Sequence, residues 1–94
     1  MTPIYTYPSW FPVVYRKKAT ALVQLVRRNA VTLIPEPGVK WALSATTSPL
    51  RLSYRMAGMS TGGTVGVLPL LRSLEDGKTT ALLVGSRPIK YDDL

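Results

Sequence analysis

The cleanest alternation in the chain runs from Leu50 to Met56, where Leu50, Leu52, Tyr54 and Met56 alternate with Arg51, Ser53 and Arg55. A period of two over this stretch predicts a half-buried strand, apolar on one face and basic on the other. Upstream, Val39, Trp41, Leu43 and Ala45 alternate in the same way with Lys40, Ala42, Ser44 and Thr46. The joint between the two runs, Thr47-Ser48-Pro49, predicts either a hairpin or one long strand bent at the proline. Ahead of both runs stands Pro35-Glu36-Pro37-Gly38. Its prolines preset φ and its glycine permits the positive value that a type II turn needs, so a tight turn is predicted there.

Residues 19–34 carry no single period. Leu22, Leu25, Val26 and Asn29 fall at helical spacing, whereas Ala21, Val23 and Leu25 alternate with Leu22 and Gln24. The Val and Thr content favours two strands separated at Arg27-Arg28-Asn29, with a helix over about 17–29 as the alternative. Gly58 to Thr64 reads as a plain loop, since no Lys-Ser/Thr pair follows it as a phosphate-binding loop requires. Pro69 to Gly77 predicts a short helix with Leu70, Leu71 and Leu74 on one side and Gly77 ending it, although Glu75 and Asp76 in its last turn oppose the helix dipole. Lys78 to Gly85 predicts a buried strand, and the remainder a tail broken by Pro88.

The first twelve residues are unlike the rest. Pro3, Pro8 and Pro12 forbid a helix and disfavour a central strand, so an extended arm is expected. The arm holds Tyr5, Tyr7, Trp10 and Phe11, four of the eight aromatic residues, and that much apolar surface has to lie against something. Either it covers its own domain or it docks on a neighbouring chain through Ile4, Tyr5, Tyr7, Trp10 and Phe11. Together these elements predict a mainly β fold: a small single-domain sheet, sandwich or partly open barrel of about five short strands, with room for one short helix. Its expected organisation is an N-terminal arm over 1–15, a β-rich domain over 16–86 and a tail over 87–94. The in-phase positions expected in the core are Val23, Leu25, Val31, Leu33, Trp41, Leu43, Leu52, Tyr54, Leu82 and Val84.

Composition narrows the chemistry. The 94 residues include no cysteine and no histidine, which removes disulfides, the usual zinc, haem and iron–sulfur sites, and any imidazole- or thiol-based catalysis. The five carboxylates are Glu36 in a turn, the adjacent pair Glu75-Asp76, and Asp92-Asp93 at the end, none of them placed by its neighbours in a dry cleft. No catalytic, cofactor or metal site is expected. The net charge of +7 is uneven: residues 1–72 carry nine Lys and Arg against one acid, while residues 73–94 carry three against four. A basic body implies contact with something anionic. No basic segment precedes an apolar run as in a signal peptide, and the uncharged stretch 56–71 is too short and too rich in glycine to span a bilayer, which suggests a cytoplasmic or particle-associated protein.

Three functions fit these observations. The leading one is a non-catalytic assembly protein, in the manner of small virus or phage particle subunits, packing on homo- or hetero-oligomeric neighbours through its arm. The alternative is a nucleic-acid-binding module with backbone-led, weakly sequence-specific contacts. Arg51 and Arg55 would project about 13–14 Å apart from one strand face, with Lys40 on the adjoining strand and Arg16, Lys17, Lys18, Arg27 and Arg28 adding charge wherever the fold brings them. The third is a membrane-surface or regulatory protein with Trp10 and Phe11 as anchors beside Arg16-Lys17-Lys18. No small-molecule substrate is implied.

Overall fold

The computed structural model of the protein describes residues 6–56, 58–83 and 87–94. Six antiparallel strands form one sheet, and two helices pack on one of its faces. In chain order the elements are α1 (Val13–Arg28), β1 (Val31–Glu36), β2 (Val39–Ala45), β3 (Arg51–Met56), β4 (Gly62–Gly66), α2 (Val67–Glu75), β5 (Thr80–Leu83) and β6 (Arg87–Ile89), followed by a single 3-10 turn, Tyr91–Asp93. The sheet order is β4-β3-β2-β1-β5-β6. Strands β1 to β4 are a meander, and α2 then carries the chain from β4 at one edge back past β3, β2 and β1 to β5. Mainly β character and a single small sheet were expected; the second helix was not, and among the described residues the sheet neither closes into a barrel nor meets a second sheet.

The largest departure is α1, which occupies residues for which two strands were favoured. Read from Val13 instead of Ala19, the chain places Tyr15, Ala19, Leu22, Val23 and Val26 on one stripe at spacings of three and four, and the last four of these are buried. Val and Thr favour strands only where packing leaves the choice open. Pro12 starts the helix with its fixed φ of −59°, and at the other end Asn29 donates through both its backbone N–H and Nδ2 to the Leu25 carbonyl. Arg27 and Arg28 lie in the last turn, where cations complement the dipole.

The hairpins follow their turn chemistry. Gly38, at φ 83°, closes the β1–β2 turn between paired Glu36 and Val39, as a type II turn requires. Between β2 and β3 the side chains do the work: Thr46 Oγ1 accepts the Ser48 N–H and donates to the Arg51 carbonyl at 2.8 Å, and Ser48 Oγ accepts the Leu50 N–H. α2 ends as its glycine predicts. Gly77 takes φ 72° and donates to the Leu74 carbonyl, and Lys78 donates to that of Ser73. Part of the stretch expected as a loop, Gly62 to Thr64, is instead paired in β4, which also takes in Val65 and Gly66. Glycine lowers strand propensity, yet here it is required. A Cβ at Gly62 would collide with the Tyr54 carbonyl, and one at Gly63 would stand 3.1–3.3 Å from the Tyr54 ring that lies across it.

One core fills the space between helices and sheet. Val31 and Leu33 of β1, Leu43 of β2, Leu52 of β3, Ala81 of β5 and Ile89 of β6 meet Ala19, Leu22, Val23 and Val26 of α1 and Val67, Leu70, Leu71 and Leu74 of α2. Leu25, Trp41 and Tyr54 are half-buried and pack against this core. Leu82 points the other way: Ala81-Leu82-Leu83 is an apolar run without alternation, and pairing of Ala81 with Leu33 sets the opposite phase. Val84 lies outside the described residues.

Phe11 is the surprise. It is 1% exposed and among the largest fully buried side chains, with Tyr7 packed 4.7 Å from it between ring centroids and partly covering the same core. Phe11→Ala should therefore cost about 3–5 kcal/mol in denaturant unfolding. Trp10→Ala, at a ring that is 66% exposed, should cost less than about 1 kcal/mol. Equal losses at the two positions would contradict this packing.

Candidate functional site

Both helices lie on one side, so among the described residues no helix covers the other face of the sheet. The period of two decides what it presents. From β2 it carries Lys40, Ala42 and Ser44; from β3, Arg51, Ser53 and Arg55; from β4, Gly62, Thr64 and Gly66; and the β1, β5 and β6 half adds Thr32, Ile34, Thr80, Leu82 and Pro88. Register turns these residues into rows. Ser44 stands opposite Ser53 and Ser53 opposite Thr64, so a line of hydroxyls crosses three strands. Arg51 and Arg55 stand on either side of that line, two residues from Ser53 in each direction along β3.

Of the residues expected to contact nucleic acid, three meet here. Arg55 pairs with Ala42, which makes Lys40 its diagonal neighbour at about 7–8 Å between backbones. Arg51 lies beyond the hydroxyl row, roughly 13 Å along the strand at 3.3 Å per residue. Lys40, Arg51 and Arg55 are exposed, and none has a side-chain hydrogen bond or ion pair among the described residues. Glu36, the last residue of β1, is exposed beside the β1–β2 turn. Among the described residues the face itself holds no carboxylate.

The other five candidates sit on α1, in the layer behind the sheet, and do not extend this surface. Two of them are structural fasteners. Arg16 donates through Nε and Nη2 to the Phe11 carbonyl, at 3.3 and 3.2 Å, and through Nη2 to that of Pro8, holding the pre-helix segment down. Lys18 donates to the Leu94 carbonyl at 2.7 Å and the Tyr91 carbonyl at 3.2 Å, with its ammonium 5.0 Å from the Tyr91 ring centre. Arg27 donates to the Thr46 carbonyl at 3.4 Å. Lys17 and Arg28 are exposed on the helix.

The arm residues also divide. Ile4 and Tyr5 lie outside the described residues. Phe11 is inside the core and so turned away from any neighbouring chain or lipid surface, and the half-buried Tyr7 shares a 2.9 Å hydrogen bond between its hydroxyl and Thr20 Oγ1. Trp10 alone of the described three is largely exposed. It has company that sequence reading missed: Val13 and Val14, in the first turn of α1, are 74% and 78% exposed. Among the described residues no helix is long and apolar enough to cross a membrane.

The chain matches no protein-family model, no curated protein and no solved structure.

The acids of the C-terminal part stay in the helix layer. Glu75 Oε1 accepts the Tyr15 hydroxyl at 2.7 Å, and Asp93 Oδ2 accepts the Lys90 N–H at 2.9 Å. The hydrogen bond to Glu75 raises the Tyr15 pKa above the ordinary 10.0, with desolvation and the carboxylate's charge adding to it. Burial, then the charges of Glu75 and Asp92, raise Tyr91, whose ring meets Tyr15 edge-on. Groups with raised folded-state values stabilise fully below the unfolded value and lose that contribution as pH climbs through the folded one. Stability should accordingly hold up to about pH 10 and fall above it. In thermal unfolding across pH 9–12, Tyr15→Phe should flatten part of that fall; an unchanged profile would show that the Tyr15–Glu75 bond contributes nothing.

Proposed function

We propose that the open sheet face binds the phosphate backbone of a nucleic acid, with little regard to sequence. The observation that carries the reading is the bracketing of the hydroxyl row Ser44–Ser53–Thr64 by Arg51 and Arg55, with Lys40 beside Arg55 and, among the described residues, no side-chain partner for any of the three cations. Arginine and small hydroxyl side chains are the usual phosphate contacts, and a carboxylate-free face lets their potentials add. Base recognition has no equipment here. The described outward-facing strand residues include no aromatic ring on which a base would stack, and Trp41 and Tyr54 stack on each other on the inner face, 4.1 Å apart.

Assembly through the N-terminal segment is the second reading. It is favoured by Trp10, Val13 and Val14, three large apolar side chains within five residues that are all mostly exposed. The two readings involve opposite layers of the molecule and are compatible.

Binding to a homopolymeric single strand and to a duplex, each measured across salt concentrations, tests the first reading. Replacing Arg51 and Arg55 together by serine removes two phosphate contacts and should flatten the salt slope by about 1.4 units on single strands and 1.8 on duplex. Affinity should fall by similar factors on unrelated sequences, with stability unchanged to within about 1 kcal/mol. The pair Lys17→Ser and Arg28→Ser should leave the slope alone. If the helix pair flattens it and the strand pair does not, the sheet face is not the binding surface.

A further inference from the structure

The two edges of the sheet are built differently. β6 is three residues long with Pro88 at its centre and Arg87 at its start, which is how natural sheets blunt an edge. β4, at the opposite edge, is Gly-Gly-Thr-Val-Gly, with no proline and no charge. Its hydrogen-bond phase is fixed at both ends: the Met56 N–H donates to the Thr61 carbonyl at 3.1 Å, and the Val67 N–H to the Leu50 carbonyl at 2.8 Å. Bonded pairs in an antiparallel ladder recur every second residue, so Gly63 and Val65 bond to β3 while the backbones of Gly62, Thr64 and Gly66 face away from it. The Gly66 carbonyl turns into α2 as the N-cap. That leaves both backbone groups of Gly62 and Thr64, and the N–H of Gly66, turned toward the open edge.

We infer that this edge pairs with the same edge of a second copy, antiparallel about a twofold axis at Thr64. The spacing is self-complementary. With Thr64 opposite Thr64 of the second copy, Gly62 falls opposite Gly66, and the outward groups meet in on the order of four hydrogen bonds. Gly62 and Gly66 have no side chains to obstruct the approach, and Thr64 opposite Thr64 is a favourable cross-strand pair. The result is one continuous twelve-stranded sheet, twice the six of a single copy.

The second copy also completes a surface, a consequence that rests on the phosphate-binding reading above. Across the joint the register becomes Arg55, Gly62, then Gly66 and Arg51 of the second copy, and the twofold repeats that row on the other side of Thr64. Four arginines then stand at the corners of a rectangle of about 13 by 14 Å, four residues along the strand and three strand spacings across it. Its floor is glycine, threonine and serine. The corners are farther apart than the roughly 8 Å screening length at physiological salt, so their mutual repulsion is small, while an anionic backbone crossing the dyad meets all four. A five-residue edge is small beside the roughly 1,200 Å² of standard interfaces. The pairing is therefore reversible and concentration-dependent, and a polyanion spanning the joint strengthens it.

Sedimentation or light scattering over a concentration series tests the pairing without nucleic acid. The parent should rise from 10.3 kDa toward twice that mass. Thr64→Pro removes only an N–H that faces away from β3, and Thr64→Lys sets two like charges at the dyad; each should weaken association by roughly tenfold or more while circular dichroism and melting stay close to parental. Should proline unfold the chain, lysine still reads the joint, and amide exchange at Thr64 in the parent should slow as concentration rises. A parent that remains at 10.3 kDa throughout overturns the inference, as does a dimer indifferent to a folded Thr64 variant, which would put the interface elsewhere, such as at Trp10–Val14. A polythymidine strand then separates the two claims. A parent that dimerises but whose affinity ignores Arg51 and Arg55 loses only the phosphate reading; a monomeric parent that depends on them loses only the pairing.

Discussion

A six-stranded sheet has two faces, and this chain has helices enough for one. α1 and α2 bring their apolar stripes, Ala19-Leu22-Val23-Val26 and Val67-Leu70-Leu71-Leu74, to the same side, where they bury the inward residues of five of the six strands in a single core. The rest of the molecule answers to that one-sided cover. The uncovered face has to live in water, and its described residues suit that: hydroxyls, glycines, Ala42 and three cations toward the β4 edge, with Ile34 and Leu82, both half-buried, and the exposed Pro88 as apolar groups toward β5 and β6. Exposure of that face is a condition of the fold.

The helix layer must also be held down, since two helices without disulfide or metal support rest on packing and a few polar ties. Phe11 plugs the core from the segment before α1, and Arg16 secures that segment by its carbonyls. Lys18 does the same for the turn after β6, and Tyr15 reaches from α1 to Glu75 at the end of α2. Basic residues thus divide by layer: two of those on α1 hold the fold together, while those on β2 and β3 have no side-chain partner among the described residues.

How much of this was legible in the sequence depended on whether a signal was local. Alternation gave β2 and β3 with their phases, and so the shared face of Lys40, Arg51 and Arg55; Gly38 and Gly77 marked a turn and a helix end because only positive φ suits those places. α1 was obscured because Val and Thr argue for strands, and the stripe is plain only when the window opens at Val13. β4 was hidden by its glycines, whose purpose is the approach of Tyr54 on the neighbouring strand. Leu82 was misphased for want of alternation, and the structural use of Arg16 and Lys18 depends on carbonyls brought close only by folding. The hydroxyl row was the least accessible of all: Ser44, Ser53 and Thr64 are unremarkable singly, and only strand register aligns them.

On the proposed function, the face left open by the helices is the face that binds. Backbone amide shifts followed by NMR during titration with a short single-stranded oligonucleotide test it residue by residue. The perturbed amides should cluster on β2, β3 and β4, around Ala42, Ser53, Arg55 and Thr64, while those of α1 around Lys17 and Arg28 stay still. Shifts confined to α1 and the segment before it, with the strands silent at saturation, would contradict it.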